Sequence, residues 1–214
     1  MHLLISLAVA VGCALLPWAA VRVPTPWVAI AATPVLAVVV AGAVFGLAFY
    51  PVSDVVVLGF SVLAGIVLGR VMPPRFRPFL VLLLILSVLD AAQNAVFSGP
   101  SPGTSTTSTA TRDAHLIWFN FRIPFEGGHF NIGFADVVLI AAISEQLRRR
   151  NVRLQLAALP GVIGLGLGEA VAASLPAAPP ALVSALTQSV IPFLTAGYAL
   201  IELAINQTSL SRGE

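Results

Sequence analysis

The chain has 214 residues, of which 58% are apolar and only 9% are charged, and its mean hydropathy is +0.97. Soluble domains carry roughly 25% charged residues. A surface this poor in charge excludes a soluble globular protein and predicts a lipid solvent. The formal charge of +2 gives no reason to expect a nucleic-acid partner.

The few chemically reactive residue types exclude several kinds of site. All 11 basic side chains are arginines, so lysine Schiff-base chemistry is excluded. The three histidines are far apart in the sequence, and Cys13 is the single cysteine, so no zinc-binding spacing exists. We therefore expect no metal and no organic cofactor.

Apolar stretches predict an all-α, polytopic membrane helix bundle that forms a single integral membrane domain over residues 1–214. A helix needs about 20 apolar residues to cross a bilayer. Clusters of proline and arginine divide the chain into such stretches. The predicted spans are 3–21, 27–49, 53–72, 78–98, 133–147, 154–175 and 181–205.

Arginines predict the orientation of these spans. They fall in the first, third and fifth connections and after the last span, whereas the alternate connections have almost none. Because positive charge accumulates on the cytoplasmic side, we expect a multi-pass protein of the cell membrane with its N-terminus outside and its C-terminus in the cytoplasm.

The connection 99–132 is long and is predicted to lie outside. Its first part is rich in serine, threonine, glycine and proline, whereas residues 115–130 are rich in aromatic side chains with partial alternation. That pattern fits either a hairpin or re-entrant flap at the membrane surface or an interfacial aromatic belt. The sequence leaves both interpretations open.

Acidic residues within predicted spans are functional candidates because charge in lipid is costly. Asp90 lies about 20 Å along its helix from Arg77, and Asp136 lies about 18 Å from Arg148, at 1.5 Å per residue. The two carboxyls are therefore expected at one depth on consecutive antiparallel helices. Glu169 is expected nearer the outer surface, about 24 Å from Arg153.

Two other acids in the spans have simpler interpretations. Glu145 is one helical turn from Arg149, which predicts an ion pair at the inner interface. Glu202 has no obvious partner in the sequence.

Two facing carboxyls at one depth would repel each other and share a proton. That is the arrangement of an aspartyl protease, in which one carboxylate activates water and one carboxylic acid polarises the scissile carbonyl. Separate interhelical hydrogen bonds, or an ion or proton path, explain the same two residues.

Three motifs resemble those of the presenilin and signal peptide peptidase family of intramembrane aspartyl proteases. Leu89-Asp90 stands where the family has Tyr-Asp, and Gly133-Phe134-Ala135-Asp136 stands where it has Gly-x-Gly-Asp. Pro180-Ala181-Leu182 matches its Pro-Ala-Leu motif. Leu89 and Ala135 depart from the family pattern.

The resemblance implies a three-helix N-terminal part, 1–77, and a presenilin-like four-helix core, 78–205, with a flap in 99–132. It implies catalytic Asp90 and Asp136, and substrate contacts at 133–135 and 180–182. Gln93, Asn94 and Glu169 are possible polar supports. The implied substrates are membrane helices or signal peptides, and the sequence leaves the oligomeric state open.

Two alternatives remain. The segment Phe130-Asn131-Ile132-Gly133-Phe134-Ala135-Asp136 also resembles the Phe-Asn-x-Ala-Asp motif of lipoprotein signal peptidases, with two extra residues. In that interpretation Asp136 would act with Asp113 or with Asp90. The second alternative is a small transporter or membrane assembly subunit, without enzymatic activity, in which Asp90, Asp136 and Glu169 line a polar path.

Overall fold

Long helices dominate the computed structural model, which describes residues 2–46, 52–97, 120–125, 128–174 and 190–210. These residues form seven α-helices and one β-hairpin, and a short 3₁₀ helix, Ala20–Arg22, follows α1. The helices are α1 (His2–Ala19), α2 (Thr25–Phe45), α3 (Val52–Val71), α4 (Phe76–Phe97), α5 (Phe134–Arg149), α6 (Leu154–Ser174) and α7 (Ile191–Leu210); the strands are β1 (Asn120–Phe125) and β2 (Gly128–Gly133).

The helical fold class is confirmed, and the first six helices follow the predicted spans to within a few residues. The described part of the seventh helix begins at Ile191, and residues 181–189 of its predicted span lie outside the described residues. Two of the described helices, Thr25–Phe45 and Val52–Val71, are long and apolar enough to cross a membrane, with mean hydropathies of 2.5 and 2.2.

Helix α2 shows most clearly that the outer surface of the bundle is apolar. Only Val28, Val39 and Gly42 of its 21 residues are buried. Trp27 is 65% exposed and Phe45 is 74% exposed. A continuous exposed apolar face is unfavourable in water, and it is the surface expected of a helix that contacts lipid.

Helix α5 forms the centre of the bundle, although it is the least hydrophobic of the helices. Every residue from Leu139 to Leu147 is buried. Its neighbours are α3, α1 and α6, and its most extensive packing is against α3. A helix buried on all sides must satisfy its polar side chains within the protein, and α5 carries Ser144, Glu145 and Gln146 in this segment.

Glycines allow α3 to approach α5 closely. A Cβ atom at Gly65 would lie 2.4 Å from the Val138 carbonyl oxygen, and one at Gly69 would lie 2.8 Å from that of Ala142. Because the later glycine of α3 contacts the later residues of α5, α3 and α5 run parallel. The Gly-x-x-x-Gly spacing on α3 is the usual device for such close helix packing.

Helix α7 packs antiparallel to both α6 and α4. Leu194 fills the space beside Gly164, and Gly197 lies against Pro160. Across the other contact, the Tyr198 ring lies 5.3 Å from that of Phe79, and the Ser87 and Thr195 hydroxyl oxygens are 2.9 Å apart. These contacts agree with an arrangement in which each helix from α3 to α7 runs opposite to the helix before it.

Candidate functional site

The two ends of the bundle differ sharply in chemistry. One end gathers Arg70, Arg148 and Arg149, and the other carries Asp136, the hairpin and the part of α4 that holds Asp90. Along α5, Asp136 and Glu145 are nine residues apart, or about 14 Å at 1.5 Å per residue. The bundle therefore separates a basic end from the candidate catalytic end.

The arginine end is organised around Glu145, whose side chain is 0% exposed. One carboxylate oxygen of Glu145 accepts from Arg70 Nε at 2.9 Å, and Arg148 donates to both oxygens at 2.6 Å. The predicted Glu145–Arg149 pair is wrong. Arg149 instead donates to the carbonyls of Arg70 and Met72, each at 2.8 Å, because the end of α3 leaves carbonyls without helical donors.

Arg70 joins three elements at this end. In addition to Glu145, its guanidinium donates to the Val23 carbonyl at 2.5 Å and to the Ala20 carbonyl at 2.8 Å. Residues 20–23 connect α1 to α2. These carbonyl partners are 47 and 50 residues away in the chain, so no local pattern in the sequence could identify them.

Glu202, which has no obvious partner in the sequence, pairs with Arg150. Glu202 lies on α7 and is fully buried, whereas Arg150 follows the last turn of α5. This pair ties the C-terminal helix to the central helix at the arginine end.

Asp136 lies in the first turn of α5, directly after the hairpin. Its Oδ2 accepts a hydrogen bond from the backbone N–H of Gly133 at 3.2 Å. A carboxylate in this position satisfies one free donor at the start of a helix and interacts favourably with the helix dipole. The contact by itself therefore has a structural explanation.

Asp90 and Asp136 are predicted site residues from different helices whose charges interact. Both residues are partly buried. They come from different helices, although α4 packs mainly on α7 and α5 packs mainly on α3. Helices α4 and α5 therefore share no extended interface among the described residues.

The residues around Asp136 have distinct surroundings. The Phe134 ring stacks on the Phe60 ring of α3, with centroids 5.8 Å apart and planes at 6°. Ala135 is exposed, as is Leu89 beside the other aspartate. Phe134 therefore anchors the start of α5 on α3, and Phe60 is a neighbour that the motifs do not reveal.

A hairpin forms in the described part of the segment 115–130, and its place at the membrane surface stays a prediction. Strands β1 and β2 pair antiparallel, with Asn120 opposite Gly133 and Phe125 opposite Gly128. Strand β1 also contacts α3. Within the described ranges the sheet has two strands, so each strand has an edge with no described strand beside it.

Other predicted site residues are located only partly. Gln93 and Asn94 continue α4 beyond Asp90, and Glu169 lies in α6. Asp113 and the motif 180–182 lie outside the described residues.

Asp54, in the first turn of α3, is 8% exposed and lies at the same end of the bundle as Asp136. In the described part of the chain, no group of three His, Cys, Asp or Glu side chains could hold a metal ion.

Comparisons with known proteins add no assignment: no family model, curated protein or solved structure matches the chain.

Proposed function

We propose that the chain is a multi-pass intramembrane aspartyl peptidase that cleaves peptide bonds in or next to the membrane helix of a substrate. Asp90 and Asp136 are the catalytic residues of this proposal, and water is the nucleophile. The observation that supports it is the electrostatic interaction between Asp136, in the first turn of α5, and Asp90 of α4. They are 46 residues apart in the chain, so their interaction depends on tertiary structure.

The chemistry follows from two carboxyl groups that share one proton. The ionised carboxylate removes a proton from water while the oxygen of that water attacks the scissile carbonyl carbon. The protonated carboxyl donates a hydrogen bond to the carbonyl oxygen, which gains negative charge as the tetrahedral intermediate forms. Proton transfer to the amide nitrogen then allows the carbon–nitrogen bond to break.

A substrate helix must be unwound before it can react, because its amide groups are enclosed in internal hydrogen bonds. The hairpin leads directly into the helix that carries Asp136. An extended segment can add to a strand edge through main-chain hydrogen bonds. We assign the substrate-holding role to this hairpin, to residues 133–135 and to the Pro180-Ala181-Leu182 motif.

The orientation in this proposal has its N-terminus outside and its C-terminus in the cytoplasm. It is supported by the gathering of Arg70, Arg148 and Arg149 at one end of the bundle. The catalytic pair then lies towards the outer leaflet. Membrane helices or signal peptides are the substrates that could reach it from the lipid.

The deciding experiment uses purified full-length protein in lipid nanodiscs with a reporter that contains a cleavable membrane helix. Asp90→Asn and Asp136→Asn are each expected to reduce the cleavage rate by at least about 100-fold, because each removes one partner of the acid–base pair. Glu214→Gln, an acid outside the predicted spans and motifs, is the matched control and is expected to cleave as wild type does. A bell-shaped pH dependence is expected, with two apparent pKa values that belong to the pair.

The same experiment separates the alternatives. The hairpin directly before Asp136 also suits a lipoprotein-signal-peptidase-like enzyme, and Asp113→Asn tests that mechanism. If Asp113→Asn and Asp136→Asn lose activity while Asp90→Asn keeps full activity, the catalytic pair is Asp113 and Asp136. A wild-type protein that cleaves no helical or signal-peptide reporter would favour a transporter or assembly subunit and would end the peptidase proposal.

A further inference from the structure

Helix α4, which carries Asp90, is held in the bundle by α7. Among the described residues, α7 is the one helix with which α4 makes extended contact. Phe79, Leu83 and Ser87 are buried at intervals of four residues along one face of α4. Asp90 comes three residues after Ser87, or about 4.5 Å further along the helix axis at 1.5 Å per residue. Ser87 is therefore less than one helical turn from the aspartate.

Two buried hydroxyl groups join α4 to α7 at this point. Ser87 Oγ lies 2.9 Å from Thr195 Oγ1, and either hydroxyl can be the donor. Each hydroxyl also has an acceptor in its own helix, since the Leu83 carbonyl oxygen is 2.8 Å from Ser87 Oγ and the Ile191 carbonyl oxygen is 2.9 Å from Thr195 Oγ1. Removing one hydroxyl of this pair therefore leaves the other with a hydrogen-bond partner, and the fold is expected to survive the change.

A hydrogen bond restricts the arrangement of two helices more tightly than an apolar contact does. A bond between two hydroxyl oxygens requires a separation of about 2.5–3.0 Å, so α4 can neither rotate nor slide far on α7 without breaking it. Elsewhere in the same interface the contact is apolar, as between the rings of Phe79 and Tyr198, and such a contact tolerates small shifts. Serine and threonine side chains link membrane helices in this way.

Asp90 needs a restraint of this kind because its electrostatic partner belongs to another helix. The charges of Asp90 and Asp136 interact, although α4 and α5 share no extended interface among the described residues. A rotation of α4 on α7 would therefore move Asp90 without direct packing on α5 to oppose it. For groups that must react in a fixed geometry, a displacement of about 1 Å lowers the rate by about 100-fold.

We propose that the Ser87–Thr195 hydroxyl pair positions Asp90 by fixing how α4 is rotated and placed on α7. Ser87 and Thr195 are positioning residues, because they act through Asp90 and not on the substrate. Their effect on catalysis rests on the proposed function, whereas their effect on the interaction between Asp90 and Asp136 does not.

The first test measures cleavage of the membrane-helix reporter by full-length variants in lipid nanodiscs. Ser87→Ala and Thr195→Val are each expected to lower kcat about tenfold and to change KM by less than about twofold, because the groups that bind substrate are retained. Thr195→Ser keeps the hydroxyl and is expected to keep the wild-type kcat.

Phe79→Leu is the control for lost packing in the same interface. Phe79 is fully buried and lies about 12 Å from Ser87 along α4, at 1.5 Å per residue. This change is expected to lower the thermal midpoint while kcat stays within about twofold of the wild-type value, because the hydroxyl pair remains.

The second test needs no substrate. Infrared spectroscopy follows the C=O absorption of protonated carboxyl groups during a pH titration, and Asp136→Asn identifies the band of Asp136. Asp90→Asn then shows how that titration changes when the interaction is lost. Ser87→Ala and Thr195→Val are expected to shift the titration of Asp136 in the same direction by a smaller amount, whereas Thr195→Ser and Phe79→Leu should leave it unchanged.

The two tests distinguish failure of the positioning role from failure of the peptidase proposal. If the wild type cleaves no reporter but Ser87→Ala and Thr195→Val shift the titration of Asp136, the peptidase proposal ends and the positioning role stands. An unchanged titration in both variants would overturn the positioning role. In an active enzyme, a loss of kcat no larger than that of Phe79→Leu, or an equal loss in Thr195→Ser, would overturn it as well, because the effect would then come from packing.

Discussion

Glu145 illustrates how a charged residue can be accommodated at the centre of an apolar bundle. It is fully buried and contacts Arg70 of α3 and Arg148 of its own helix. Removing one member of a buried ion pair leaves the remaining charge without compensation, which costs more than the pair itself contributes. Glu145 therefore controls whether Arg70 can remain at the junction of α1, α2 and α3.

Replacing Glu145 tests this role directly. Glu145→Gln is expected to lower the free energy of unfolding by about 3 kcal/mol, because Arg70 and Arg148 lose their carboxylate partner. The measurement is reversible unfolding in mixed micelles. Arg75→Gln, at an exposed arginine, is expected to change stability by less than about 0.5 kcal/mol; comparable losses in both variants would show that Glu145 is not central to the network.

Gly69 is the residue at which the α3–α5 contact is tightest towards the arginine end. An added Cβ would lie 2.8 Å from the Ala142 carbonyl oxygen and 2.8 Å from the Glu145 Cβ. Both are parts of a rigid, buried helix that cannot move aside locally. Any side chain at residue 69 must therefore separate the two helices.

We expect Gly69→Ala to destabilise the protein by about 1–3 kcal/mol through overpacking. Gly59→Ala is the matched control on the same helix, since a Cβ there would meet no atom within 4 Å. That control should leave the thermal midpoint unchanged or slightly higher, because alanine favours helix more than glycine does. A stable Gly69→Ala variant would contradict the close packing described for α3 and α5.

At the scale of elements, α5 has a fully buried segment, from Leu139 to Leu147, that contains three consecutive polar residues. Ser144 donates to the Ala14 carbonyl of α1 at 2.8 Å, and Gln146 donates to the Gly69 carbonyl of α3 at 2.9 Å. With Glu145, these residues connect α5 to different neighbours. Such contacts specify which helix lies on which side, a choice that interchangeable apolar side chains leave open.

The α6–α7 contact allows a double-mutant test of element packing. A Cβ at Gly164 would lie 2.4 Å from Leu194 Cδ2, so Gly164→Ala is expected to cost about 1–3 kcal/mol. Leu194→Ala is expected to cost about 2–5 kcal/mol by leaving a cavity. The two changes together should cost less than their sum by roughly 0.5–3 kcal/mol, because the new methyl group fills space that Leu194 vacates.

Unfolding of the four proteins in the cycle measures this coupling. Gly12→Ala combined with Leu194→Ala is the control, since a Cβ at Gly12 of α1 meets no atom within 4 Å, and that pair should be additive. Additive effects at residues 164 and 194 would mean that the two side chains do not share the contact.

At the scale of the whole molecule, the fold places opposite chemistries at its two ends. The arginine network lies at one end, and Asp136 and the hairpin lie at the other. In a membrane, the basic end suits the cytoplasmic surface. The orientation can therefore be tested independently of any enzymatic activity.

The orientation test begins from Cys13→Ala, which removes the single cysteine. Single cysteines are then introduced as Ser105→Cys in the long connection and Arg75→Cys in the connection between α3 and α4. A membrane-impermeant maleimide applied to intact cells should label residue 105 but label residue 75 only after permeabilisation. The reverse labelling would invert the proposed orientation and place the aspartates on the cytoplasmic side.

Much of the helical pattern could be read from the sequence. Apolar stretches bounded by proline and arginine located the first six helices, because helix formation and membrane burial both depend on local composition. The hairpin was one of two interpretations of an alternating aromatic segment. The depths of Asp90 and Asp136, counted from arginines at the helix ends, predict a pair whose charges interact in the structure, and the catalytic role of that pair stays a prediction.

The sequence by itself determined the hydropathy, the helical segments and the depth of each acid along its own helix, because each of these depends only on residues that are near one another in the chain. Tertiary structure alone decided which helices are neighbours. It brings Arg70 of α3 to Glu145 of α5, Arg150 at the end of α5 to Glu202 of α7, and Gly69 of α3 against Ala142 of α5. The physical reason is that a periodic apolar pattern gives the depth of a side chain but not its partner. Partners are chosen by shape, by the spacing of glycines and by the requirement that each buried charge meet its opposite.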